Sequence, residues 1–114
     1  MNIETEDYKV SYERDISTIT CQGFLQLNGM QEYASIIELL DQVIEESPTK
    51  ITLNLRELEL LNSSGISMFS KFVIKVRKKK EIQMVVQGTQ EFEWQEKSLT
   101  NLQRLMPGLE LEWE

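Results

Sequence analysis

Residues 50–69, KITLNLRELELLNSSGISMF, change hydrophobic period in mid-course, and that change decides the fold. Ile51, Leu53 and Leu55 alternate with Thr52, Asn54 and Arg56, the period of two expected of a strand. From Asn62 onward the apolar residues recur at three- and four-residue steps. Ile66, Phe69, Val73 and Val76, widened by Phe72, make the inward stripe of a helix that runs to about Lys80. A strand thus hands over to a helix at Asn62-Ser63-Ser64-Gly65. Asn and Ser are favoured at such a start, because their side-chain oxygens accept hydrogen bonds from the free amides of the first turn.

The same reading extends in both directions. Upstream, Asn28-Gly29 signals a turn. A helix over 32–46 then follows from Tyr33, Ile36, Ile37, Leu40, Val43 and Ile44, interleaved with Glu32, Glu38, Asp41 and Glu45 and ended by Ser47-Pro48. Before it, Tyr8, Val10 and Tyr12 alternate with polar residues. Ile16 to Gly23 is rich in β-branched residues, with Ile19 and Cys21 on one face, and the short link between these strands predicts a hairpin. Downstream, Ile82 to Gln87 reads as a central strand. Ser98 to Met106 reads as a helix with Leu99, Leu102, Leu105 and Met106 inward, stopped by Pro107-Gly108. Leu109, Leu111 and Trp113 alternate in a last strand. Gln90 to Lys97 fits a strand or an anchored loop.

The order β-β-α-β-α-β-α-β predicts a single α/β domain over residues 1–114. Its mixed sheet is covered by helices, and right-handed crossovers join its parallel strands. Ile51 to Leu55 belongs in the sheet interior, since helices flank it in sequence.

Composition narrows the chemistry. The chain of 114 residues has one cysteine and no histidine. This removes histidine-based triads and Cys–His pairs, and it leaves a transition metal few good ligands. No phosphate-cradling glycine loop is present, so no cofactor or metal is expected. A net charge of −7 argues against nucleic acid. No apolar run approaches the roughly 20 residues of a membrane span, and the start MNIETED lacks the pattern of a secretory signal. The expected location is the cytoplasm, where the lone Cys21 stays reduced as a small buried side chain.

With the chemistry so narrowed, residues 50–69 resemble the core signature of bacterial anti-sigma-factor antagonists. These are STAS-domain proteins in which the corresponding strand and loop end in Asp-Ser-Ser/Thr-Gly-Leu/Ile. The closing LTNLQRLMPGLELEW resembles the family's last helix and strand. The resemblance implies that Ser63 is phosphorylated, with Asn62, Ser64 and Gly65 completing the loop. It also implies that the unphosphorylated form binds a GHKL-type serine kinase that doubles as anti-sigma factor, with a serine phosphatase opposing it, the chain itself being a monomer or weak dimer. Asn62 departs from the family's usual Asp, keeping the capping oxygen and losing a charge. A STAS-like branch whose members bind nucleotide cyclases resembles this Asn-Ser/Thr-Ser arrangement.

Other residues carry a plain and a functional reading side by side. Lys71, Lys75, Arg77, Lys78, Lys79 and Lys80 are half of all basic residues, and no acid interrupts them from 60 to 80. They suit a solvated helix face near a C-terminus, or a docking face for an acidic partner beside Ser63. Ile66 and Met68 are either core filler or partner contacts. Trp94 and Trp113 read as packing residues, and Glu45-Glu46 and Glu110/Glu112 as solvated faces. Beside the switch stand two rival functions. One is a non-switching scaffold or accessory subunit, in which the loop is only a cap. The other is a small hydrolase using Ser63, which lacks a base.

Overall fold

A computed structural model describes residues 1–114. Its sheet has six strands in unbroken order: β1 (Asn2–Glu4), β2 (Tyr8–Glu13), β3 (Thr18–Leu25), β4 (Lys50–Leu61), β5 (Gln83–Gly88) and β6 (Glu110–Trp113). The first two pairings are antiparallel and the rest parallel, so the sheet is mixed, with β4 inside it between β3 and β5. Four helices accompany it: α1 (Gly29–Glu32), α2 (Ala34–Glu45), α3 (Ser63–Lys78) and α4 (Glu93–Leu105).

Because β3 to β6 follow one another in order, crossovers of one hand lay α2, α3 and α4 side by side on a single face. α3 contacts both α2 and α4. The core lies between this layer and the sheet. Val10, Ile19, Cys21, Ile51, Leu53, Leu55 and Val86 point into it from the strands, and Ile36, Leu40, Phe69, Phe72, Val73 and Leu99 from the helices. Intervening residues such as Lys9, Thr20, Asn54 and Gln87 belong to the opposite, polar face.

Several expectations need correction. A short N-terminal strand, β1, precedes the predicted hairpin; its three residues are too few for a readable period. The predicted 32–46 helix begins earlier and is broken at Tyr33, whose backbone leaves helical geometry (ψ 0°). Within it Leu39 is buried while Ile37 is only half-buried. The helix expected at Ser98 starts five residues sooner, at Glu93, so the open segment Gln90 to Lys97 is largely helical rather than strand or loop.

That early start has a cause in β4. The strand is longer than its neighbours and carries extra residues against β3: Thr20 faces Asn54 but Gln22 faces Glu57, and Gly23 faces Leu58 but Phe24 faces Leu60. Its pairing with β5 stops at Asn54–Gln87. Beyond that point the carbonyls on its β5 side lack a strand partner, and α4 supplies donors instead. Gln95 Nε2 donates to Leu55 O (2.6 Å) and Leu58 O (3.1 Å), and Trp94 Nε1 donates to Glu59 O (3.0 Å). Gln95 Oε1 accepts from Thr89 N at 2.8 Å. A buried amide thus does the work of a missing ladder.

Candidate functional site

The end of β4 delivers Asn62 to the N-cap of α3 in extended geometry (φ −83°, ψ 175°). Its side chain does more than cap. Oδ1 accepts from Gly65 N at 3.0 Å and from Tyr33 Oη at 2.8 Å, while Nδ2 donates to Leu27 O at 2.7 Å. The Asn62 amide also donates to Leu25 O at 3.1 Å. Tyr33 is fully buried, and burial is the main cause that pushes its phenol pKa up, so the hydroxyl stays protonated and donating.

The two serines differ. Ser64 is half-buried, and its Oγ accepts from Gly29 N at 3.4 Å. Ser63, one residue earlier, is exposed at the first turn of α3, where free amides and the positive end of the helix dipole favour an added anion. Gly65 is buried with almost no clearance. A Cβ there would overlap the Leu61 side chain and stand 2.7 Å from Tyr33 Oη, so a glycine is what lets α3 start this close to Tyr33.

The remaining sequence candidates separate. Ile66 is half-buried on the first turn of α3, and Met68 is 2% exposed and packs the core. Lys71 is exposed, and Lys75 Nζ forms an ion pair with Asp41 Oδ1 at 2.8 Å, both side chains facing solvent. The cleft between α2 and α3 that these lysines border, with Met30, Ile37, Leu40 and Phe72, holds about 30 Å³, room for one water. A slot between α3 and α4, lined by Leu61, Ile66, Phe69 and Trp94, holds about 10 Å³. Neither admits a metabolite. No group of three or more Cys, Asp or Glu side chains is gathered to hold a metal.

Sequence reading missed two features. Tyr33 looked like one more apolar stripe residue, and nothing local tells a stripe tyrosine that its hydroxyl will meet Asn62, 29 positions later. Phe24 and Leu60 are paired across β3 and β4 and are 44% and 37% exposed. Their neighbours Leu25 and Leu61 are buried, so this pair faces away from the helices, with Leu60 three residues before Ser63.

Residues 30–109, well over half of the chain, match the STAS domain family. Comparison with curated proteins gives no sequence match. Among solved structures the chain superposes on SiaC in the crystal structure of the diguanylate cyclase SiaD in complex with its activator SiaC from Pseudomonas aeruginosa. The TM-score is 0.75, and the alignment covers 100% of this chain and 99% of that one at 11% identity. At that identity the likeness is one of fold. Strand order, the loop between β4 and α3, and the extent of the family match agree: this chain belongs to the STAS-domain family.

Proposed function

We propose that this chain is a phosphorylation-controlled protein-binding regulator with Ser63 as its switch and no catalysis of its own. One observation carries the reading: Ser63 is exposed at the start of α3 on a loop already pinned by Asn62. A phosphate there meets first-turn amides, so it changes the surface without asking the fold to move. It also adds about two negative charges at the start of α3, which a partner covering Ser63 would have to desolvate. The chain has no histidine and the loop Asn62-Ser63-Ser64-Gly65 has no acid or lysine, so it supplies no base to make Ser63 a nucleophile.

In this reading the unphosphorylated form binds a GHKL-type serine kinase acting as anti-sigma factor, and a serine phosphatase restores that form. A second reading has a nucleotide cyclase as the partner. The fold shared with SiaC, an activator of a diguanylate cyclase, favours it, as does asparagine at position 62. The test is affinity purification from the native cell, with mass spectrometry of the bait. Ser63→Asp should weaken capture of the partner at least about tenfold, and Ser63→Ala should retain capture and lose the phosphate. Recovery of a kinase or of a cyclase decides between the two partners. Tight binding by Ser63→Asp, together with phosphate on Ser63→Ala, would leave the loop as only a helix cap.

A further inference from the structure

Asparagine at position 62 has two jobs that other capping residues cannot combine. Its oxygen caps α3 through Gly65 N, a role that Asp or Ser performs as well. Its nitrogen donates to Leu27 O at 2.7 Å, which neither Asp nor Ser can reproduce: a carboxylate has no donor, and a serine hydroxyl is too short to cap and reach at once. Leu27 lies midway along the connection from β3 into α1. That connection meets the α3 end at further points, through the Tyr33 hydroxyl, which accepts from Leu27 N at 3.4 Å and donates to Asn62 Oδ1 at 2.8 Å, and by Gly29 N donating to Ser64 Oγ at 3.4 Å. Asn28 N, by contrast, is satisfied within the segment, by Glu32 Oε1 at 2.9 Å. The shortest bond between the two segments is the one from the Asn62 amide.

We propose that Asn62 is a positioning residue that clamps residues 27–32 against the start of α3. The exposed Asn28, Gly29 and Gln31 are thereby held beside Ser63 as the second segment of one recognition surface. The amide donor, not the cap, is the reason an asparagine stands at this position. That the surface is one of recognition rests on the Ser63 reading above; the clamp itself does not, and its test requires no partner.

The residues at stake also explain why Ser64 and Ser63 differ in availability. The clamp brings Gly29 N onto Ser64 Oγ and leaves Ser63 outward. With the clamp open, Ser64 loses that contact and the two hydroxyls become more alike.

The experiment is residue-resolved amide exchange by NMR on the full chain, with intrinsic rates divided out, for wild type, Asn62→Asp, Asn62→Ala and Tyr33→Phe. In Asn62→Asp the carboxylate still accepts from Gly65 N, while its second oxygen is set against the Leu27 carbonyl. Exchange at the Leu27 and Gly29 amides should therefore rise about tenfold or more, the equivalent of one lost bond, with Gly65 close to its wild-type protection. Asn62→Ala should release both regions together. Tyr33→Phe, which keeps the ring and the packing, should speed exchange at Leu27. Wild-type protection of Leu27 and Gly29 in Asn62→Asp overturns the clamp, and so does parallel loss at Gly65 and at those two amides in that variant. Should Asn62→Asp fail to fold, Asn62→Ser, which keeps a capping oxygen and lacks the amide donor, takes its place, and wild-type protection at Leu27 and Gly29 in that variant overturns the clamp. A Ser63→Asp chain that binds its partner normally counts against the switch and leaves these exchange results standing.

Discussion

Gln95 offers the sharpest test of how β4 is held. Its side chain is 0% exposed, and it pairs Leu55 O, Leu58 O and Thr89 N with its own two polar ends. Gln95→Leu keeps the approximate volume and removes every one of those bonds. A buried polar group left without a partner costs roughly 1–3 kcal/mol. Some local relaxation and the gain of an apolar side chain offset part of the loss, so a net destabilisation of about 3–5 kcal/mol is expected. Against a total of roughly 5–15 kcal/mol for a protein of this size, that is a large fraction. It corresponds to a fall of at least about 10 °C in Tm. Urea unfolding followed by circular dichroism measures it directly.

Gln95→Glu adds a check on mechanism. Its oxygen still accepts from Thr89 N, but the carboxylate is desolvated and faces two carbonyls, which raises its folded pKa above the unfolded value of about 4.3. The native state then binds the proton more tightly than the unfolded chain does. Stability must fall as pH rises from about 4.3 through the folded pKa, and the penalty is complete above it. The variant should therefore lose more stability at pH 8 than at about pH 4, relative to wild type. If Gln95→Leu costs less than about 1 kcal/mol, or if the Gln95→Glu penalty is flat with pH, water satisfies those carbonyls and the ladder argument fails.

Gly65→Ala should destabilise by about 1–3 kcal/mol, since its Cβ overlaps Leu61 and crowds Tyr33 Oη; a melting curve equal to wild type would contradict the close approach. Burial pushes the Cys21 thiol up to about 12, well above the usual value of about 8.5. It should resist a disulfide reagent at pH 8 in the native chain and react on unfolding, and its contribution to stability should decline as pH climbs past about 8.5, where only the unfolded thiol ionises. Arg14 holds the Glu46 carboxyl below its ordinary value by a side-chain hydrogen bond, so any stability from this pair is present above that ordinary value and lost as pH falls through the lowered one. Both groups are solvent-facing, and Glu46→Gln should leave the melting curve unchanged in high salt.

Most of the α/β pattern could be read from the chain because local period reports which side of an element is buried. Ile51, Leu53 and Leu55 alternate, Phe69, Phe72, Val73 and Val76 do not, and each set ended up facing the same core. The start of α3 was readable for a related reason, since a capping residue and the turn it caps lie within three positions of each other. Family membership followed from the same stretch, where period change and loop coincide.

Contacts between distant residues decided the rest. Asn62 reads as a cap from either side, and only the fold brings Leu27 O to its nitrogen and Tyr33 Oη to its oxygen. Met68 shares the helical spacing of a surface contact or a core filler, and packing between α2 and α3 made it core. Residues 93–97 have no apolar period of their own to announce a helix; α4 begins there because Trp94 and Gln95 answer carbonyls that β4 exposes where its pairing with β5 ends. Local sequence encodes what each residue prefers to do, whereas an unsatisfied carbonyl some forty positions away exists only once the sheet has formed.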